Sequence, residues 1–104
     1  MTVVIKGFRF LSKNDPARCA DPRAQALVSV VIDGELIIND IRICEARHRL
    51  CIEFAENPFP MRKNHTEHIV VPVTLEVRRR IEGIVLDRYN KALEKRRMLN
   101  SARV

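Results

Sequence analysis

Two runs rich in β-branched residues, Gln25–Ile32 and Glu35–Ile38, stand on either side of the dipeptide Asp33-Gly34. Both central positions of a tight hairpin turn need positive φ, and Asp-Gly supplies them at low cost, so the pair predicts two antiparallel strands joined directly. The pattern continues through Asn39-Asp40, read as a kink or bulge, into Ile41–Glu45, where Ile41 and Ile43 alternate with Arg42 and Cys44. After a short reversal at Ala46-Arg47-His48, Leu50, Ile52 and Phe54 resume the alternation against Cys51 and Glu53. Upstream, Thr2–Leu11 reads as a strand whose apolar alternation slips once near Gly7, as at a bulge. Ser12–Arg23 holds Asn14, Asp15, Pro16, Asp21 and Pro22 and reads as a loop.

Ala55–Thr66, interrupted by Pro58 and Pro60, reads as a long connecting loop that presents Arg62 and Lys63. His68–Pro72 reads as a short last strand ended by proline. From Thr74 the period changes: Val77, Ile81, Ile84, Val85, Tyr89, Ala92 and Leu93 share one helical stripe. Thr74 is the expected N-cap and Glu76 lies in the first turn, while Lys95, Arg96 and Arg97 suit the C-terminal end. Gly83 inside the helix points to close packing there. The expectation is an α+β domain, an antiparallel β-meander of about five strands followed by one long C-terminal helix. It occupies residues 1–97 as a single domain, with 98–104 a frayed tail. One helix covers one face of a sheet, so a homodimer is expected to cover the other face or an edge.

Charge is unevenly placed along the chain. Residues 1–73 hold ten Lys/Arg against nine Asp/Glu, whereas residues 74–104 hold nine against four, so nearly all of the net +6 lies in the helical third. Such a bias favours a polyanionic partner. Aromatic residues make up 5% with no tryptophan, which removes the rich stacking surface of many single-strand readers but leaves phosphate binding open. The three cysteines, Cys19, Cys44 and Cys51, are odd in number and form no Cys-x-x-Cys, and no apolar run reaches membrane-spanning length; a reduced, cytoplasmic chain is expected.

The stretch ALVSVVIDGELIINDIRI resembles the SpoVG (stage V sporulation protein G, septation protein) family. The match is to a hairpin leading into three apolar residues, His or Asn, then Asp-Ile-Arg and an apolar residue, here Leu36-Ile37-Ile38-Asn39-Asp40-Ile41-Arg42-Ile43. Leu50–Phe54 is similar to the family's Gly-Leu-Phe-Val strand, and a Pro-containing basic loop, a strand ending before proline and a helix with Asp87-Arg88-Tyr89 follow in the same order. The resemblance spans roughly residues 2–92. The chain departs from it at the family's compact Met-Pro-Ser-basic-basic loop, where Phe54–Lys63 displaces the basic pair and introduces Glu56, and at the His-Pro before the helix, here Val71-Pro72. The resemblance implies a nucleic-acid-binding regulator linked to septation, cell division or developmental gene expression.

The candidate DNA- or RNA-binding residues, meeting backbone phosphates, are Arg62, Lys63, Arg78, Arg79, Arg80, Arg88, Lys91 and Arg42. Three arginines in succession spread round a helix, so Arg78-Arg79-Arg80 cannot all face one ligand. The competing reading is a solvated helix face pairing with Glu82, Asp87 and Glu94. Arg42 is expected chiefly to salt-bridge Asp40 or Glu53, and Met61 or Phe59 to contact a base or sugar beside the basic loop. His48, His65 and His68 with Cys44 and Cys51 match no common zinc spacing, so no metal and no other cofactor is expected. The chain holds no glycine-rich phosphate loop, nucleophile elbow or carboxylate pair beside a histidine, and no catalytic residue is assigned. The alternative to nucleic acid is a non-enzymatic protein-interaction module binding an acidic partner or division component through the same helix or a sheet edge.

Overall fold

A computed structural model describes residues 1–59, 61 and 66–101. Strands β1 (Val3–Phe10), β2 (Ala24–Ile32), β3 (Leu36–Ala46) and β4 (Arg49–Glu53) form one antiparallel sheet in the order β1-β2-β3-β4, an unbroken meander. A short helix α1 (Pro16–Ala20) lies between β1 and β2, and the long helix α2 (Leu75–Ser101) follows the sheet. The class is α+β as expected, with four strands rather than five.

The missing strand is His68–Pro72. Its strand pairing is one bridge among the described residues, Glu56 to His68, flanked by Asn57 N–H to Glu67 O at 2.6 Å and Ile69 N–H to Ala55 O at 2.8 Å. Its β-branched residues promise a strand, but strand pairing needs a partner, and past Glu53 only Ala55–Asn57 runs alongside. Val70 packs on the core while Ile69 and Val71 stay exposed. The second difference is α1. Asp15 caps it by accepting from Ala17 N–H at 3.0 Å, and Pro16 occupies its first turn, where its missing N–H costs nothing.

Turn and bulge chemistry fixes the register. Asp33 (φ 52°) and Gly34 (φ 68°) build the β2–β3 turn, closed by Glu35 N–H to Ile32 O at 3.0 Å. Register shifts between Ile5 and Gly7 on β1, as expected near Gly7, and again opposite Asn39-Asp40 on β3, where Asp40 takes φ 59°. Both lie level with Ser29 of β2, whose hydroxyl donates to Asn39 Oδ1 at 2.9 Å. Two bulges flanking one position increase the local twist of the sheet. The β3–β4 turn is made by Arg47 and His48, both at positive φ.

One face of the sheet is covered by α2. Ala26, Val28 and Val30 of β2, Ile38, Ile41 and Ile43 of β3 and Ile52 of β4 meet Ile81, Val85 and Tyr89. Tyr89 packs against the rings of Phe8 and Phe10 at 6.4 and 6.0 Å. The helix begins as expected: Thr74 Oγ1 accepts from Val77 N–H at 3.2 Å, and Glu76 stands in the first turn. It continues past Arg97 to Ser101, so Lys95, Arg96 and Arg97 precede a last turn that holds no basic residue. Gly83 is not a close-packing site; it is exposed, and a Cβ there would meet nothing within 4 Å. Gly83→Ala is therefore expected to raise unfolding stability by about 1 kcal/mol in urea denaturation.

Candidate nucleic-acid interface

The helix period sorts the cations of α2 by direction. Arg78 turns inward: its guanidinium donates to Ile52 O of β4 at 3.1 Å and lies 4.0 Å from Glu82. Arg79 and Arg80 are exposed, and neither has an ion pair among the described residues. At 3.6 residues per turn they point about 100° apart. The arginine triplet thus supplies three separate directions.

Arg80, Arg88, Lys91 and Lys95 fall within about a quarter-turn of one another and make a row along the flank of α2 that faces β1. Arg88 places its guanidinium 4.6 Å over the Phe8 ring, and Arg96 lies 4.7 Å over Phe10. Both arginines are thereby held in place, and among the described residues no carboxylate pairs with either. The same contacts cap the two rings, so Phe8 and Phe10 serve to orient cations rather than to stack on bases. Among the described residues Lys91 is the one member of the row that pairs with an acid, Asp87 at 3.0 Å, and both side chains are largely exposed, which makes the pair weak. On the opposite flank Arg97 is bound to Glu94 at 2.6 Å. The basic row could be read from the composition of the helix. Its anchoring could not, because that depends on which β1 residues lie beneath it.

Arg42 sits elsewhere, among carboxylates. Its guanidinium, 19% exposed, meets Glu53 at 3.0 Å, Glu56 at 3.3 Å and Asp21 at 3.6 Å. Arg23 completes the cluster with Asp21 and Glu53, each at 3.0 Å. Glu53 is thus the cross-sheet partner expected for Arg42, while Asp40 is occupied in the bulge. Arg42 is directed into carboxylates and away from the α2 row. The hydrogen bond from Arg23 holds the Asp21 carboxyl below the usual range, and the two acids in turn raise Arg23. Cys44 is fully buried beneath this cluster, and burial with the neighbouring Glu53 and Asp21 charges pushes its thiol up to about 11.

Arg62, Lys63 and His65 lie outside the described residues. The loop that carries them is closed at its base by the Ala55–Asn57 and Glu67–Ile69 pairing, by His68 Nδ1 donating to Phe54 O at 2.7 Å and by Glu56 on Arg42. Phe59 and Met61 are exposed, as contacts to a base or sugar would require. His48 sits in the β3–β4 turn and His68 in the loop base, apart from Cys44 and Cys51.

Near α1, Asp15 binds Arg9 as well as capping the helix, and the Arg9 hydrogen bond leads in lowering its carboxyl. A depressed folded-state value means its contribution is present above the unfolded carboxylate range near pH 4 and is lost as pH falls through the lower folded value. Asp15→Asn keeps a capping oxygen but removes the charge. The variant is expected to lose less stability than wild type between pH 4 and pH 2, measured by thermal unfolding across that window.

The sequence profile of the SpoVG family matches residues 14–91. A protein of Clostridium botulinum (strain Alaska E43 / Type E3) named "Putative septation protein SpoVG" is 31% identical over 78 residues, 72% of this chain and 80% of its own length. A Clostridium novyi protein of the same name is 33% identical over 73 residues, 67% of this chain and 68% of its own. One from Caldanaerobacter subterraneus is 29% identical over 72 residues, 69% and 77% of the two chains.

Proposed function

The chain belongs to the SpoVG family, and from that premise we propose that it is a cytoplasmic, non-enzymatic bacterial regulator, linked to septation or developmental gene expression, that binds the phosphate backbone of DNA or RNA. The observation that carries the reading is the row Arg80, Arg88, Lys91 and Lys95, with Arg96 beside it. In that row only Lys91 has a carboxylate partner among the described residues. A cationic row on a rigid helix releases condensed counterions when phosphates replace them, which gives salt-dependent and weakly sequence-selective affinity. Arg62 and Lys63, carried by the loop before His68, stand as candidates for further phosphate contacts on the strength of the sequence. The test is titration of mixed-sequence DNA and RNA oligonucleotides by fluorescence anisotropy at low and physiological salt. Micromolar or tighter binding that weakens with salt supports the reading, and absence of binding to both polymers at low salt overturns it.

A second reading has its own observation. Met1, Leu36, Ile37, Val71, Val73 and Leu75 are all exposed apolar side chains near the β2–β3 turn and the start of α2. Met1, Leu36, Val71 and Val73 line a common apolar groove with Val77 and Ile81. A patch of this kind on a small domain favours a protein contact, and a second copy of the chain is the occupant we infer. Light scattering is expected to give twice the chain mass, and Val73→Asp/Leu36→Asp to give the monomer. No helix among the described residues is long and apolar enough to cross a membrane.

A further inference from the structure

We propose that the groove between β1 and the C-terminal half of α2 takes one unpaired nucleotide of a single strand, its base lying against the Arg88 and Arg96 guanidiniums and its phosphate meeting Lys95. The inference rests on the phosphate-binding reading and adds to it a contact with the base. The groove measures about 420 Å3, within the roughly 300–1,000 Å3 of small-ligand sites. Phe8, Phe10, Ala92 and Leu99 give it an apolar floor, and Arg88, Lys95 and Arg96 supply its charge. No acidic residue lines it. An apolar floor bordered by cations suits a nucleotide, which joins a planar base to an anion.

Helical period builds one wall. At about 100° per residue, positions 88, 92, 95, 96 and 99 fall within about 100° of one another, on the flank of α2 that meets Phe8 and Phe10. Strand alternation builds the other. Phe8 and Phe10 are two residues apart on β1, so their rings emerge on one face, where they meet edge to face with centroids 5.1 Å apart. Arg88 lies over the first ring at 4.6 Å and Arg96 over the second at 4.7 Å. A guanidinium is planar, so one that rests on a ring by one face presents the other, and arginine planes are a platform on which unpaired bases stack. Arg96 is exposed, which leaves that second face accessible. Among the described residues no carboxylate pairs with Arg88, Lys95 or Arg96.

Ala92 sets the size of the groove. It stands one turn after Arg88 and one turn before Arg96, half-buried, and its single methyl leaves the space between the two guanidiniums unfilled. Base pairing decides the kind of strand admitted. In a duplex both faces of each base are covered by its neighbours, whereas an unpaired base can turn onto a guanidinium. The low aromatic content of the chain is then no obstacle, because the two rings act through the arginines that they orient.

The test uses the full chain, a single-stranded thymidine oligonucleotide, and the same strand with tetrahydrofuran abasic residues in place of its nucleosides, so that length and phosphates are equal. In fluorescence anisotropy at low salt the intact strand is expected to bind at least about fivefold tighter than the abasic one, the scale of one stacked base. Ala92→Leu keeps every cation and a strong helix former while filling the groove, and is expected to abolish the difference. Arg96→Lys keeps the charge but loses the plane, and is expected to reduce the difference at least about twofold. Circular dichroism of each variant checks the fold. Equal binding of the two strands by wild type, or a difference that folded Ala92→Leu retains, overturns the groove as a base site and leaves the phosphate reading standing. Absence of binding to either strand at low salt overturns both.

Discussion

Ile43→Ala is expected to destabilise the domain by about 2–5 kcal/mol, the range for removing a buried branched side chain from a core that relaxes only partly. Ile43 is fully buried, pairs with Ile52 on β4 and stands in the layer that receives Ile81, Val85 and Tyr89. A domain of this size has roughly 5–15 kcal/mol in all, so the substitution removes a large share of it. Arg49→Ala, at an exposed position on β4, is expected to shift stability by no more than about 0.5 kcal/mol. Urea unfolding of the two variants measures the contrast. Similar losses for both would mean that the α2 face of the sheet is not where the core lies.

The second large effect concerns binding. Arg80→Ser/Lys95→Ser removes two members of the row on the β1 flank of α2 and touches no core residue. It is expected to weaken DNA or RNA binding by about ten- to hundredfold at low salt and to leave the unfolding midpoint nearly unchanged. Arg79→Ser/Arg97→Ser removes the same charge from the opposite flank, where Arg97 is already paired with Glu94. Its expected effect is less than about threefold, the share of general electrostatic attraction. The comparison separates a located surface from net charge.

The elements that residue chemistry alone defines were legible in the sequence. Asp33-Gly34 requires positive φ and sits in the turn expected of it, and the slips near Gly7 and at Asn39-Asp40 are both bulges. Thr74 caps α2 through its own hydroxyl, a contact written into neighbouring positions. What failed depended on distant partners. His68–Pro72 has strand composition, but among the described residues only Ala55–Asn57 lies beside it, and it forms one bridge. α1 is too short for any periodicity, although Asp15-Pro16 is itself a helix-start signal. Gly83 looked like a packing contact and is a solvent-facing position.

The candidate site divides in the same way. That the cations cluster on α2, and that Arg78-Arg79-Arg80 must diverge, follow from composition and helical period. Strand order offered Asp40 or Glu53 as the partner of Arg42, and the pairing of β3 with β4 selects Glu53. The anchoring of Arg88 on Phe8 and of Arg96 on Phe10 did not, because it joins residues about eighty positions apart. The arrival of Asp21 and Arg23 at β3 and β4 likewise required the path of the chain after α1.

The most direct test of the central claim is the slope of log binding constant against log salt concentration for one single-stranded oligonucleotide. It would be measured on wild type, Arg80→Ser/Lys95→Ser and Arg79→Ser/Arg97→Ser. Phosphate contact by the α2 row predicts a steep negative wild-type slope, a slope shallower by about 1.4 for the first double variant and by less than about 0.7 for the second. Equal slopes for the two variants, or no measurable binding by wild type at low salt, would contradict it.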